Sequence, residues 1–178
     1  MHSLSPLQAN NTKATVDVQY ASTQTTLPIQ KEICTWVDTT LALITDIGDA
    51  HHKSQRKNGS FEVELTVRIV DEDEGIALNK RYRGQEMATN VLSFPCKAGA
   101  TFDLNLLGDI VICAPVVKRE IIMQHKKPYN AHWAHMIIHG ALHLLGYDHQ
   151  STMEARYMEF METAVLAQLG FSDPYRNP

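Results

Sequence analysis

The segment AHWAHMIIHGALHLLGYDH, residues 131–149, contains five of the nine histidines of this 178-residue chain. Between the histidines stand Ile, Leu, Met and Trp residues, which are typical of a protein core. The first four histidines, at positions 132, 135, 139 and 143, are three, four and four residues apart, so a helix would carry them on one stripe. The segment therefore predicts a mostly apolar helix with an unusual number of titratable rings on one side.

The spacing of these histidines predicts a metal site. On a helix, His139 and His143 lie on adjacent turns, roughly 5–6 Å apart at Cβ, and both imidazoles can then bind one zinc ion at about 2.0–2.1 Å. His135 is too far from His143 to join them, because eight residues of helix rise by roughly 12 Å. Gly146 tolerates the positive φ that ends a helix, and His149 follows three residues later. We therefore predict that His139, His143 and His149 bind one metal ion.

The ligand pattern also indicates what chemistry the site performs. It has the spacing of the H-E-x-x-H-x-x-G-x-x-H zinc motif, with Gly140 in place of the glutamate. Three imidazoles favour Zn²⁺, although they also accept other late transition metals, and three protein ligands leave a position for water, which is typical of a catalytic site. The missing glutamate weighs against peptide hydrolysis, because it is the general base of the protease motif. Neutral ligands leave the charge of the ion uncompensated, which favours an anionic substrate such as a phosphodiester.

The rest of the chain predicts an α+β fold with about four strands and five helices. Alternating or continuous apolar runs predict strands at 14–22, 61–70, 90–95 and 106–114. Helical periodicity and end signals predict helices at 29–47, 71–84, 115–125, 130–145 and 151–169. We expect a polar, flexible N-terminal segment at 1–13 and a single domain at 14–178. Met153, Met158 and Met161 recur at helical intervals and are expected in the core.

Composition and charge limit the function classes. The net charge of −4 excludes sequence-independent binding of nucleic acid over the whole surface, which needs a strongly basic protein. No apolar stretch approaches the length of a membrane span, and the first residues lack a basic region followed by an apolar block. Cys34, Cys96 and Cys113 are odd in number and far apart, which indicates free, buried thiols in a reducing compartment. We therefore expect a cytoplasmic protein without a membrane partner.

Four blocks of the sequence resemble one protein family. HGALHLLGYDH at 139–149 resembles the H-G-x-L-H-L-x-G-Y-D-H signature of the YbeY family, bacterial endoribonucleases that mature ribosomal RNA. The similarity continues in AHWAHMIIHG at 131–140, LLGDIVIC at 106–113 and LNKRYRGQEMATNVLSFP at 78–95. It implies a compact α+β fold with a small mixed sheet under helices and one zinc ion held by three histidines. It also implies a role in small-subunit rRNA 3′-end maturation and in ribosome quality control.

The resemblance assigns a role to one arginine. The family's functional arginine, in the tyrosine-arginine pair before T-N-V-L-S-F-P, falls on Arg83. A guanidinium matches phosphate oxygens with two parallel hydrogen bonds and keeps its charge at any working pH, so Arg83 is expected to be catalytic and to hold the scissile phosphate. Lys80 and Arg81 in the same turn either contact the RNA backbone or complement the helix dipole.

These observations predict a zinc-dependent endoribonuclease that acts on single-stranded segments of ribosomal RNA. Its expected partners are the ribosome or its small subunit, together with a candidate helper protein that would deliver the substrate. Two alternatives stay open, namely a metalloprotease-like hydrolase and a non-catalytic ribosome-assembly factor stabilised by zinc. We expect His132 and His135 to orient ligands or to pack in the core. Asp148 is expected to accept a hydrogen bond from an imidazole or to cap the turn before His149.

Overall fold

The computed structural model describes residues 12–47, 61–96, 105–124 and 128–176. Within these ranges the elements follow in the order β1 Thr12–Tyr20, α1 Gln30–Ile47, β2 Phe61–Val70, α2 Glu72–Arg83, β3 Val91–Pro95, β4 Leu106–Cys113, α3 Ala114–Met123, α4 Tyr129–Leu144 and α5 Thr152–Gln168. The predicted α+β fold with one small mixed sheet and five helices is confirmed. Every predicted element is present, and its ends differ from the prediction by at most two residues. Residues 1–11 of the predicted N-terminal segment lie outside the described residues, and Thr12 and Lys13 already belong to β1.

The four strands form one mixed sheet in the order β1-β2-β4-β3. β1 and β2 are parallel, as are β2 and β4, whereas β3 runs antiparallel to β4. The strict alternation of β2 directs Val63, Leu65, Val67 and Ile69 to one face, where each is at most 2% exposed. Because successive side chains of a strand point to opposite faces, this pattern defines which side of the sheet carries the main core.

Helices cover the two faces of the sheet unequally. α1, α4 and α5 contribute to the main core, in which α4 is almost wholly buried, with Trp133, Ile137 and Leu142 at 0% exposure. The opposite face carries a smaller cluster around Leu92 and Val111, against which Leu78 of α2 packs. The helix that carries the histidines is therefore the central element of the fold.

Gly140 allows α4 to approach the sheet closely. A Cβ atom at this position would lie 2.8 Å from Cγ2 of Ile110 on β4, closer than real side chains tolerate. Ser93 of β3 donates a hydrogen bond from Oγ to the Gly140 carbonyl oxygen at 3.4 Å. The position that holds glutamate in the protease motif thus faces the sheet, and its lack of a side chain is a packing requirement.

The methionine prediction is correct for two residues and wrong for the third. Met158 and Met161 are 2% and 0% exposed, whereas Met153 is 81% exposed. Met153 precedes Met158 by five residues. At 3.6 residues per turn, the two side chains are therefore rotated by about 140° from each other around the helix axis. It therefore lies on the solvent side of the first turn of α5.

The prediction of free, buried thiols is correct only in part. Cys34, Cys96 and Cys113 are all free, but Cys113 alone of the three is buried, whereas Cys34 is half-buried. Cys96 is exposed because it directly follows the last residue of the edge strand β3. Among the described residues no helix combines the length and the apolar character that crossing a membrane requires.

Candidate metal centre

The structure brings the three predicted ligands together. His139 and His143 lie one turn apart near the end of α4, and their Nε2 atoms are 3.1 Å apart. His149 completes the group, and one ring nitrogen of each histidine lies within 4.8 Å of the other two. The distances between ring centroids are 4.6 Å for His139–His143, 5.0 Å for His143–His149 and 5.7 Å for His139–His149.

Two helix-end motifs hold the segment that carries His149. Gly146 has a φ of +89°, its amide donates to the His143 carbonyl, and the Tyr147 amide donates to the Leu142 carbonyl, each at 3.0 Å. This pair of bonds is the Schellman motif that ends a helix with a left-handed glycine. A capping box then starts α5, in which Ser151 and Glu154 exchange side-chain and backbone hydrogen bonds. The third histidine therefore stands on a short connection whose two ends are both fixed by local hydrogen bonds.

A buried carboxylate orients the first ligand. Oε1 of Glu162 lies 2.6 Å from Nδ1 of His139, so this nitrogen donates the hydrogen bond and Nε2 is left with its lone pair facing the other histidines. The second oxygen, Oε2, lies 2.9 Å from Nε2 of His135 and accepts from the hydroxyl of Tyr175. Histidines that bind metals commonly donate their other N–H to such a carboxylate, which fixes the tautomer and raises the basicity of the ligand.

Sequence reasoning missed Glu162, although the chain contains a signal for it. The buried residues of α5 are Met158, Met161, Glu162, Val165 and Leu166. A glutamate within the apolar stripe of a helix is rare unless it is paired, because burial of an unpaired charge is costly. The pattern alone indicates a buried partner, but it does not identify which histidine that partner is.

The protonation states suit metal binding. Burial raises the pKa of Glu162, but the hydrogen bonds from His135 and His139, with the charges of these two rings, outweigh it and lower the pKa to about 2. Burial, followed by repulsion from His139 and His149, lowers the pKa of His143 to about 4. Burial and the neighbouring Glu162 raise the pKa of Tyr175, so its hydroxyl remains a donor. Near neutral pH, Glu162 is therefore ionised, and the His143 imidazole is uncharged and can bind a metal ion.

The donor set fits a zinc ion. At zinc–nitrogen distances of about 2.0–2.1 Å, tetrahedral geometry separates two imidazole nitrogens by about 3.3 Å. The observed 3.1 Å between the Nε2 atoms of His139 and His143 is close to this value. The same ligands would also bind other late transition metals, so the geometry identifies a site for a dication and favours zinc by its ligand chemistry.

The three histidines line a cleft of about 600 Å³, a volume typical of small-molecule sites. Its other residues come from the end of α2, from β3 and the two residues before it, and from the connection between α4 and α5: Arg83, Thr89, Asn90, Val91, Ser93, Pro95, Gly146, Tyr147, Asp148 and Gln150. Arg83, the predicted catalytic residue, therefore shares one cleft with all three predicted metal ligands.

Among the described residues, Arg83 differs from the other two basic residues that end α2 in having neither an ion pair nor a ring contact. Lys80 forms an ion pair with Glu86, and the Arg81 guanidinium lies 5.5 Å from the centre of the Tyr82 ring. Within the described parts of the chain, the exposed Arg83 guanidinium has no ion pair or hydrogen bond, and it lines the cleft. It is therefore available to an anion, whereas Lys80 and Arg81 do not line the cleft.

Two other polar residues of the segment 131–149, His132 and Asp148, form hydrogen bonds next to the metal centre. His132 is 4% exposed, and its Nε2 lies 2.7 Å from Oε2 of Glu120. Glu120 also accepts from Nδ2 of Asn90, in the cleft wall, at 3.1 Å. Oδ1 of Asp148 accepts from the backbone amide of His149 at 2.8 Å, so Asp148 stabilises the turn. The expectation that His132 and His135 pack or orient, and are not ligands, agrees with these contacts.

Comparisons with known proteins give one consistent result. A family model described as Endoribonuclease YbeY matches residues 19–170. A protein of that name from Cellvibrio japonicus is 47% identical over 163 residues, which cover 92% of this chain and 84% of the relative. Another from Nitrosococcus oceani is 45% identical over 165 residues, which cover 92% of this chain and 97% of the relative.

A solved solution structure, TM1509 from Thermotoga maritima, is 22% identical with a TM-score of 0.48, and the match covers 92% of this chain and 100% of that chain. At this level the structural match adds nothing to the assignment. The family model and the two relatives are sufficient, and they show that the chain belongs to the endoribonuclease YbeY family.

Proposed function

We propose that this protein is a zinc-dependent endoribonuclease that cleaves single-stranded segments of ribosomal RNA in the cytoplasm. Its role would be maturation of the small-subunit rRNA 3′ end and ribosome quality control, with the ribosome or its small subunit as partner and a helper protein delivering the substrate. The proposal draws on the name of the relatives, endoribonuclease, and on the chemistry of the cleft.

One observation carries the proposal. Three imidazoles that can bind one dication line the same cleft as the Arg83 guanidinium, which has no ion pair or hydrogen bond among the described residues. Two positive groups with little compensation attract an anion, and a phosphodiester offers one negative charge at the reacting atom. Among the described residues that line the cleft, Asp148 is the one carboxylate, and it is bonded to the backbone amide of His149.

Each residue of the site has a distinct task. When bound, Zn²⁺ supplies Lewis acidity for a phosphoryl oxygen and assists formation of a nucleophile near neutral pH. His139, His143 and His149 would hold it, and Glu162 would keep His139 in the binding tautomer. Arg83 would donate two hydrogen bonds to the phosphate and offset the negative charge that builds up during cleavage. The nucleophile is either water or the 2′-hydroxyl of the RNA.

The protease alternative has no support in the packing of α4. A glutamate at position 140 would have to occupy the space of Ile110, since even a Cβ atom there lies 2.8 Å from that side chain. The site thus lacks the general base of the H-E-x-x-H motif at the position where that motif requires it.

The decisive experiment measures RNA cleavage by zinc-loaded protein of known metal content, with and without a chelator. We expect Arg83→Ala to slow cleavage by about 100- to 1000-fold, which corresponds to about 3–4 kcal/mol of barrier, without loss of zinc. Arg81→Ala, which alters an exposed arginine outside the cleft, is the matched control and should cleave at the wild-type rate. His143→Ala should lose both metal and activity, which excludes a contaminating nuclease.

The same assay tests the alternatives. Wild-type cleavage by Arg83→Ala would remove the proposed role of this residue. Zinc-dependent stability without RNA cleavage at any metal loading would identify a non-catalytic assembly factor. Peptidase activity that His143→Ala abolishes would identify a metalloprotease.

A further inference from the structure

Helix α5 exposes a stripe of large apolar side chains. Met153, Tyr157 and Phe160 are 81%, 41% and 61% exposed. They are four and three residues apart, so at 3.6 residues per turn they lie on one side of α5. Single exposed apolar residues are ordinary, but a row of them leaves apolar area in water and is typical of an interaction site. These three residues are called the α5 stripe below.

The α5 stripe is continuous with the metal cleft. Tyr147 lines the cleft, and its ring packs against the ring of Tyr157, with centroids 6.0 Å apart and ring planes tilted by 33°. Phe160 lies three residues further along α5, which is a rise of about 4.5 Å. A row of three aromatic rings therefore leads from the wall of the cleft along the surface of α5.

The charges beside the α5 stripe suit a polyanion. Arg156 is the one basic residue of α5 and is exposed. At about 100° of rotation per residue, Arg156 projects about 70° from the middle of the stripe and Glu159 about 130°. Glu154, on the other flank, is tied to the start of the helix, because its Oε2 accepts from the Ser151 amide at 2.8 Å. The charge nearest to the stripe is therefore positive.

We propose that the α5 stripe is a stacking platform for the bases of single-stranded RNA where the strand leaves the metal cleft. This inference rests on the proposed nuclease function and adds a second contact surface to it. The strand passes Tyr147, and its next bases stack on Tyr157 and Phe160. Met153 adds apolar contact, and Arg156 contacts a backbone phosphate.

Such a platform selects single strands without reading their sequence. Every base has a π-face, so each of the four bases can stack on a tyrosine or phenylalanine ring. In a duplex the bases are paired and stacked on one another, and they cannot reach the exposed rings. The platform therefore discriminates between single-stranded and double-stranded RNA and tolerates all four bases.

Binding of RNA with and without bases tests the platform. Zinc-loaded protein is titrated in the cold with a short single-stranded RNA, with an abasic strand of the same length and with a duplex, and a gel confirms that the strands stay intact. Each stacked base contributes about 5-fold or more to the affinity. We therefore expect the single strand to bind about 25-fold more tightly than the abasic strand, which keeps the phosphates but has nothing to stack. The duplex should also bind more weakly than the single strand.

Substitutions on α5 assign the effect to the rings. Tyr157→Ala and Phe160→Ala should each lower the ratio of the two affinities by about 5-fold, whereas Tyr157→Phe keeps the ring and should preserve the ratio. Ile122→Ala is the matched control, because it truncates an apolar side chain of α3 that is 71% exposed and does not line the cleft. If Tyr157→Ala does not fold, Phe160→Ala decides, since its side chain lies outside the core. A wild-type ratio near one, or an unchanged ratio in Phe160→Ala, would overturn the platform.

Two further measurements separate this inference from its competitors. Analytical ultracentrifugation of the zinc-loaded protein should show a monomer, whereas a dimer that dissociates in Phe160→Ala would assign the α5 stripe to a second copy of the chain and overturn the platform. Zinc-dependent cutting by a wild type that binds intact and abasic strands equally would overturn the platform and leave the nuclease function intact. Base-dependent binding that needs the two rings, without any zinc-dependent cutting, would instead overturn the nuclease function.

Discussion

At the scale of single residues, Glu162 links the core to the candidate metal centre. Its side chain is 1% exposed, and its two oxygens divide their contacts between the ligand His139 and the pair formed by His135 and Tyr175. A charge this deeply buried is tolerated because three donors surround it. Two of these donors come from α4 and one from the segment after α5, so a single carboxylate joins the ligand helix to the C-terminal part of the domain.

Replacement of this carboxylate tests its role. In Glu162→Gln the negative charge is lost and one amide hydrogen faces the existing donors, so we expect zinc affinity to fall by about 10- to 100-fold. The free energy of unfolding should fall by about 1–3 kcal/mol. Zinc affinity is measured by competition with a coloured chelator. Glu159→Gln, an exposed position on the same helix, is the control, and equal zinc affinity in both variants would contradict the assigned role.

Two helical glycines offer a matched test of close packing. Alanine usually stabilises a helix by about 1 kcal/mol relative to glycine. A Cβ at Gly75 would meet Sγ of Cys113 at an ordinary 3.4 Å, whereas a Cβ at Gly140 would lie 2.8 Å from Ile110. We expect Gly75→Ala to be neutral or stabilising and Gly140→Ala to lower the free energy of unfolding by about 1–3 kcal/mol through overpacking. Urea denaturation measures both, and a stabilised Gly140→Ala variant would refute the packing account.

At the scale of elements, the connection between α4 and α5 determines where the third ligand stands. α4 can supply two imidazoles from adjacent turns, but its straight axis carries any further histidine away from them. The left-handed Gly146 reverses the chain, and Ser151, the N-cap of α5 and first residue of its capping box, follows His149 by two residues. The metal centre is therefore built from one helix and the turn that ends it.

Substitution of Gly146 tests this connection. Its φ of +89° disfavours any residue with a Cβ, so Gly146→Ala should cost about 1–2 kcal/mol of stability and weaken zinc binding. Gly84, which ends α2 with a φ of +70°, has the same backbone requirement away from the three histidines. Gly84→Ala should therefore lose similar stability in urea denaturation and keep its zinc affinity. If both variants bind zinc equally well, the bend at Gly146 does not control the position of His149.

At the scale of the whole molecule, the cleft combines parts of the chain that are far apart in sequence. Arg83 stands at the end of α2, the wall from Thr89 to Ser93 belongs to β3 and its approach, and the histidines come from α4 and the turn after it. The antiparallel β3 lies at one edge of the sheet, next to β4, and α4 packs across both. The sheet thus holds the guanidinium and the imidazoles in one cleft.

Metal binding should stabilise the whole fold. Zinc at 100 times its dissociation constant adds about 2.7 kcal/mol to the free energy of unfolding, which for a domain of this size is a rise of about 5–10 °C in melting temperature. His149 is exposed, so His149→Ala should melt like the wild type without metal and lose most of the zinc-induced rise. Gln150→Ala, the adjacent exposed residue, serves as the control. A full zinc-induced rise in His149→Ala would remove this histidine from the ligand set.

The amino-acid sequence by itself determined the class of fold, the elements and the three candidate ligands. Strand β2 was predicted with its exact ends because alternation is a local property of the chain, and the end of α4 was predicted because a glycine in left-handed conformation is a local requirement. The histidine spacing is equally local, since all three lie within eleven residues, 139–149. Arg83 became a candidate only through family resemblance. It is so far from the histidines along the chain that no local spacing pattern indicates that they share a cleft.

Tertiary structure alone decided which groups meet across the fold. The pairing of Glu162 with His139 joins residues 23 positions apart. Arg83 lines the cleft of the three histidines, which lie more than 50 positions further along the chain. Periodicity also misplaced Met153, because a helical interval gives the rotation between residues and not the direction of the core. Helix, strand and turn signals depend on residues that are close in sequence, whereas these contacts depend on how the helices pack on the sheet.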